Sequence, residues 1–448
     1  MTFSKKIEAG YCDVSKFNIF SNYNQADEDF RARFHTLCIY ESLFDSTVRA
    51  SCEFIDSGYE TQLKSASTEG DYNVTAGERC ELRIKDSDDN ELEFENDYHL
   101  RVRAHTKDQS LGPSNRTTTF YADFYSLESM TNHLLSTRPT QKFDGYPHDH
   151  IRTLLTENLG TSKVFESDET IIPYNFLGYN EKVFYHCFNL CNKGIPPLEV
   201  GTHAGFLFYE VAKGTGSTGG YRYRSIDKLF QQSPKKKYIY NNTEKTPNGY
   251  DGKIITYHET RDVNAERDIM LADTFQRKMQ TFDPRLKAWS EKTFDPQSQN
   301  QYNAGKEFYK ITSDDDLNLQ SQPTRYSTRV YDIGTLPKGR VWDEQKQYCN
   351  EIDGLGHYRI DESIAQAESR LNQILGTQVQ ILLPMDLSLH VGDLIEIDFP
   401  EISADKKYTE ISRNKSGIYM IADLSHKLSI SKGYTSLNIV RDSTTYKK

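Results

Sequence analysis

From Phe34 the chain reads as strand through Phe34-His35-Thr36-Leu37-Cys38-Ile39-Tyr40-Glu41, then as a turn over Ser42–Ser46. A second strand is expected from Thr47 to Ile55, where Val48, Ala50, Cys52 and Phe54 alternate with Thr47, Arg49, Ser51 and Glu53. Strand side chains point to opposite faces in turn, so a period of two with one polar face predicts a half-buried strand. Asp56-Ser57-Gly58 ends it. Gly77–Lys85 and Glu91–His105 predict a hairpin, because Asp86-Ser87-Asp88-Asp89-Asn90 between them is a cluster of turn formers. Residues 1–30 are polar and are expected to form a loose arm. Residues 107–117 read as a loop before a strand at Thr118–Tyr125.

Three short helices are expected next. Ser126–Leu135 carries Leu127, Met130 and Leu134 at helical spacing, and Pro147–Leu159 carries Ile151, Leu154, Leu155 and Leu159. Lys182–Cys191 is the third. Phe206–Val211 and Tyr221–Ile226 read as strands joined by a glycine-rich turn, with Ser225 expected to cap a one-turn helix at Ile226–Gln231. Residues 258–323 are polar and mixed, which suggests an extended or weakly helical region punctuated at Ser313–Asp316 and Gln320–Pro323. Ser363–Leu375 is the clearest helix, with Ile364, Ala367, Leu371 and Ile374 on one stripe. Four strands follow at Val379–Leu383, Leu394–Phe399, Gly417–Leu424 and Thr435–Val440. With no internal repeat visible, the pattern is that of a β-rich α+β chain, barrels or sandwiches with small inserted helices.

Composition narrows the class. A chain of 448 residues suggests about three domains. With 36% hydrophobic and 27% charged residues, a folded soluble protein is expected. The 29 Tyr and 23 Phe, against 6 Met, favour strands and interfaces over helical bundles. A net charge of −11 argues against a dedicated nucleic-acid binder, which needs a basic face. It is compatible with an acidic wall past which nucleic acid slides, because like charges repel the phosphates. Cys12, Cys38, Cys52, Cys80, Cys187, Cys191 and Cys349 are odd in number and scattered, so reduced thiols and cytoplasmic folding are expected. No apolar run follows Met1-Thr2-Phe3-Ser4-Lys5-Lys6, so no signal peptide is expected, and the longest apolar stretches, Gly205–Val211 and Val379–Met385, are too short to span a bilayer.

Motifs with chemical potential each have a plainer explanation. Gly214-Thr215-Gly216-Ser217-Thr218-Gly219 matches a dinucleotide loop, but the strand-like Tyr221-Arg222-Tyr223-Arg224 follows where a helix is required. A hairpin connection is expected instead. His148 and His150 lie two apart on a helix start and point to different faces, so an exposed polar first turn is expected there, with Asp149 near the positive end of the helix dipole. Cys187 and Cys191 lack a second ligand pair nearby and read as small core residues beside His186. Lys235-Lys236-Lys237 reads as a solvated face. There is no G-x-S-x-G, H-E-x-x-H or Walker A motif, and no resident metal, cofactor or catalytic residue is expected.

Three stretches carry a family resemblance. The first is Ile39-Tyr40-Glu41-Ser42-Leu43-Phe44 with Val48, Phe54, Ile55, Asp56 and Ser57. The second is Gly205-Phe206-Leu207-Phe208-Tyr209-Glu210, then Tyr221-Arg222-Tyr223-Arg224-Ser225-Ile226-Asp227-Lys228-Leu229. The third is Val391-Gly392-Asp393-Leu394-Ile395-Glu396-Ile397, then Ser416-Gly417-Ile418-Tyr419-Met420-Ile421 and His426. Together these resemble the baseplate central hub proteins of T-even-type contractile-tailed phages, and the third is similar to the last barrel of tail hubs such as late control protein D. Gly392-Asp393 also reads on its own as a tight turn between two strands.

The resemblance implies two β-barrel tube domains with inserted small helices plus a mixed extension domain. The first barrel would span 1–117 plus 201–257, with a helical insert and the β start of the second domain at 118–200. The extension would span 258–350 and the second barrel 351–448. It implies a homotrimeric ring in the virion baseplate, assembled in the host cytoplasm, that adapts a hexameric tail tube protein to a trimeric spike protein beside the baseplate wedge proteins. DNA would pass the lumen without specific binding, and no membrane insertion is implied. The role would be structural, not enzymatic. The alternatives are a carbohydrate-binding or carbohydrate-degrading tail protein, a peripheral wedge protein, and the spike base of a contractile secretion system. The last would carry a fused needle or effector, whereas this chain ends seven residues after Arg441.

Overall fold

The computed structural model describes residues 10–22, 27–56, 76–111, 116–197, 204–240, 253–259, 277–283, 287–294, 325–330, 335, 360–399, 412, 415–430 and 432–443. The N-terminal part contributes β1 (Cys12–Phe20), β2 (Asp27–Asp29), β3 (Phe34–Ser42), β4 (Arg49–Asp56), β5 (Arg79–Asp86), β6 (Glu91–Phe94), β7 (Leu100–Leu111) and β8 (Arg116–Ser126). The alternation read in the sequence sets their faces: Val48, Ala50, Cys52 and Phe54 are buried while the intervening residues of β4 are not. The turn at Asp86–Asn90 forms as expected, because the Asp86 carboxylate accepts N–H bonds from Asp88 and Asn90, each at 2.9 Å.

Three expectations in this part are corrected. The polar arm contains β1, which pairs along its length with β5 and buries Phe17 and Ile19. A register shift between Val14 and Lys16 breaks its alternation, which hides the strand from a strict period-two reading. The single strand expected over Glu91–His105 is two, separated by a 3-10 turn at Asn96–Tyr98 where Asn96 has φ 53°. The segment 107–117 is largely strand, since β7 continues to Leu111 and β8 starts at Arg116.

The insert consists of α1 (Leu127–Thr131), the short pair β9 (Lys142–Phe143) and β11 (Phe176–Leu177), α2 (Pro147–Thr153), β10 (Phe165–Ser167) and α3 (Val183–Cys191). A π-helical turn at Leu154–Leu159 extends α2 and ends at Gly160 in the left-handed region. Ile151, Leu154, Leu155 and Leu159 are buried as their spacing predicts. α1 differs: it is shorter than expected, Met130 and Leu134 face outward, and the buried residue is Glu128.

β12 (Phe206–Gly214) and β13 (Ser217–Ser225) form a hairpin closed by Thr215 and Gly216 (φ 82°), so the glycine-rich run is a turn, as expected. Phe206 and Phe208 pack on the insert core, and Leu207, Tyr209 and Val211 on the C-terminal core. Burial on both faces explains the near-continuous apolar run of this strand. α4 (Ile226–Phe230) follows. Ser225 occupies its N-cap position but its hydroxyl makes no capping bond, contrary to expectation, and lies buried.

The remaining strands are β14 (Lys236–Ile239), β15 (Thr256–Glu259), β16 (Arg277–Asp283), β17 (Ala288–Phe294) and β18 (Arg325–Val330), then β19 (Thr377–Pro384), β20 (Leu394–Asp398), β21 (Gly417–Ser429) and β22 (Lys432–Arg441) after α5 (Ile360–Ile374). β16 to β18 form a separate three-stranded sheet, so the described part of the polar region is β structure. The punctuation at 313–316 and 320–323 lies outside the described residues.

All strands except β9, β11 and β16 to β18 belong to one 17-stranded sheet. Its main path runs β2–β1–β5–β7–β8–β4–β3–β21–β22–β19–β15, with β6–β12–β13–β10 branching from β5 and β20–β14 from β21. β3 therefore joins the N-terminal strands directly to β21 (His426 opposite Ile39). The fold is β-rich, as expected. Among the described residues the pairing forms one continuous mixed sheet and closes no barrel. No helix among the described residues is long and apolar enough to cross a membrane.

Candidate functional site

Where β3, β12 and the loop 385–393 meet, the three stretches singled out in the sequence come together around Glu41. Glu41 is buried at the end of β3, with its side chain 0% exposed. Its Oε1 accepts N–H from Ala212 (3.3 Å) and lies 3.1 Å from His390 Nδ1, and its Oε2 accepts N–H from Val391 (3.3 Å). One carboxylate thus satisfies Val391 of the third stretch and Ala212, two residues beyond Glu210 of the second, offsetting part of its desolvation cost.

Gly392 supplies a second tie. Its φ of 85° belongs to the left-handed region, and a Cβ there would fall 2.6 Å from Tyr209 Oη, so only glycine lets the hairpin and the turn approach this closely. Asp393 closes that turn, its Oδ2 accepting the His390 N–H at 2.9 Å and facing Lys235 Nζ at 2.8 Å. His426 on β21 is fully buried beside the same cluster, its Nδ1 3.0 Å from Thr435 Oγ1.

Two further buried ion networks flank this junction. Lys163 Nζ lies 2.7 Å from Glu128 and 2.6 Å from Glu210, with all three side chains buried. Glu210 also accepts the Val48 N–H (2.8 Å) and the Ser126 hydroxyl (2.6 Å). Burial pushes the Glu210 carboxyl up while Lys163 draws it down, and the two glutamates hold Lys163 above the usual lysine range against the opposing effect of burial. In the third network Arg370 of α5 donates from Nε to Asp227 (3.0 Å) and from Nη2 to Asp442 (2.8 Å). Of the stripe expected on α5, Ala367 and Ile374 are buried and Ile364 and Leu371 half-buried, and the polar Ser369, Arg370 and Gln373 are buried too. Nothing in the periodicity of that helix separates these polar residues from solvated ones.

The other quoted residues take local roles. Tyr40 lies half-buried with Oη 3.3 Å from Ser51 Oγ. Asp56 ends β4 opposite Thr118, and its side chain lies outside the described residues. Phe208 stacks on Tyr221 at 5.6 Å. Arg224 and the Ser225 N–H both bind Asp168 Oδ2, at 3.0 and 2.9 Å. Ile226 is buried and starts α4. Gly417 opens β21 at φ 138°. Tyr419 donates to the Lys415 carbonyl (2.6 Å), with Arg441 over its ring.

Among the described residues no cluster of His, Cys, Asp and Glu has the geometry to hold a metal ion. His148 bonds Thr170, and His150, expected on an exposed turn, is buried against the Tyr174 carbonyl at 2.8 Å because α2 turns that face inward. Cys187 and Cys191 are buried as expected, and burial raises both thiols. Cys349 lies outside the described residues. Each of Lys235, Lys236 and Lys237 faces a carboxylate, of Asp393, Asp386, and Glu396 with Asp398, so the basic run knits β14 to its neighbours.

No family model matches the sequence, and neither does any curated protein. Solved structures do. A tail protein of Neisseria meningitidis superposes with a TM-score of 0.50 at 9% identity, over 95% of this chain and 96% of that one. A prophage tail protein of Shewanella oneidensis gives 0.49 at 9% identity, over 98% and 100%. An Escherichia coli component of the type VI secretion system gives 0.43 at 8% identity, over 98% and 79%. This chain has the fold of a tail protein.

Proposed function

We propose that this chain is a structural hub subunit at the base of a contractile phage tail. The observation that carries the proposal is the convergence on Glu41 and Gly392 of three stretches about 170 residues apart, each resembling the hub family. The fold shared with the Neisseria tail protein supports it. Three copies form a ring that meets a hexameric tail tube on one face and a trimeric spike on the other, with wedge proteins around it. A closed ring satisfies each interface and avoids open-ended assembly. Residues 1–117 with 201–257, and 351–448, form its two tube units, with 118–200 as insert and 258–350 as extension. DNA passes through the lumen, where a net charge of −11 disfavours sticking. The role is mechanical: the buried carboxylates at the junction are engaged by backbone N–H groups and cations, which fixes strands and leaves them poorly placed for proton transfer.

Light scattering and negative-stain averaging of the purified chain test this. A mass near three times 51.7 kDa with a ring and central hole is the expected result. A monomer across the accessible concentration range removes the ring and favours a peripheral wedge position.

A further inference from the structure

The cluster behind Glu41 has an unequal charge balance. Glu41 is the carboxylate in contact with the cluster, and two imidazoles share the site: His390, 3% exposed, and His426, 0% exposed. Each imidazole makes one contact through Nδ1, to Glu41 and to Thr435, and each has a buried Nε2 with no hydrogen-bond partner among the described residues. The charged and titratable groups that act on His426 are Glu41 on β3 and His390 and Asp386 on the loop 385–393, while β22 offers the neutral Thr435. Asp386 is already engaged by Lys236 and Tyr238, each at 2.7 Å.

A proton taken up by His426 meets, among the described residues, only carboxylates that are already engaged, Glu41 by His390 and Asp386 by Lys236 and Tyr238, in a fully buried site. His426 sits in the register that joins β21 to β3 (opposite Ile39), and Glu41 is two residues further along β3.

We propose that the β3–β21 seam is an acid-sensitive latch, closed while the buried His426 is neutral and opened when it takes up a proton. This does not depend on the tail reading. Burial pulls His426 down to about 4, with Glu41 opposing and His390 assisting. An unfolded histidine titrates near 6.5, so the opened seam binds more protons below that value. The stability contributed is complete above about pH 6.5 and is lost as pH falls through about 4. The seam then opens ahead of strands without buried imidazoles, such as the long β7–β8 pair.

Hydrogen exchange of the full chain, followed by mass spectrometry between about pH 7.5 and about pH 4.5 and corrected for intrinsic rates, tests the latch. Peptides covering residues 37–42 and 423–428 should lose protection on the order of tenfold by about pH 5, while β7–β8 peptides hold theirs. His426→Gln, which can keep a hydrogen bond to Thr435 but takes no proton, should abolish that loss. Equal acid loss in His426→Gln, or simultaneous loss in seam and β7–β8, overturns the latch. If His426→Gln does not fold, titration of the wild-type imidazole resonances decides: His426 titrating near 6.5 overturns it and near 4 supports it.

Discussion

Single side chains hold this fold at points where charge is taken out of water. Arg370 is the largest of them, 1% exposed, with Asp227 and Asp442 as its partners. Removing one member of a buried ion network leaves the others uncompensated, which costs about 3–5 kcal/mol. Arg370→Met should lower stability by that amount in urea unfolding. The triple variant Arg370→Met with Asp227→Asn and Asp442→Asn should recover much of it, and no recovery would show that the lost packing matters more than the charge. Glu41 and Gly392 could be picked from the sequence by resemblance and as a turn glycine. Lys163, Glu128, Arg370 and Asp442 could not. Local pattern marks a charged residue as exposed, and these are buried only because partners arrive from distant segments.

At the scale of elements, period and turn chemistry carried far. β3, β4, β12, β13 and β19 to β22 lie where alternation or apolar runs place them, and α2, α3 and α5 where helical spacing does. β1 escaped because its bulge shifts the phase between Val14 and Lys16. Its Phe17 contacts the rings of Phe30, Phe34 and Phe124 and is fully buried. Phe17→Ala should therefore destabilise the protein by about 3–5 kcal/mol in chemical denaturation, as for a core phenylalanine. A loose arm would show no change. α1 misled in the opposite direction: Met130 and Leu134 have helical spacing but face outward, because the Glu128 bond to Lys163 orients the helix.

The whole molecule is tied by the long-range β3–β21 pairing. Ser42 Oγ bonds Asp423 Oδ1 at 2.5 Å across a separation of 381 residues, within the β3–β21 ladder. Closing so long a loop has an entropic cost before the contact gives anything back, so pairings of this kind form late. Pulse-labelled hydrogen exchange during refolding should show β7–β8 amides protected first and the β3–β21 amides last. Simultaneous protection would mean that the sheet forms as one cooperative unit. The same ladder explains why separate barrels were expected and one continuous sheet is found. Local signals mark where strands lie and not which strands they join.

Local pattern alone located most of the strands, the helices α2, α3 and α5, the tight turns at Asp86–Asn90, Thr215–Gly216 and Gly392–Asp393, and the three stretches that meet near Glu41 and Gly392. Each of these follows from side-chain alternation, φ preference or motif within a few residues. Tertiary structure alone decided that β3 pairs with β21, that β1 belongs to the sheet, and which charges are buried against which. Those outcomes rest on shape and charge matching between segments separated by tens to hundreds of residues, and no local period records such a match.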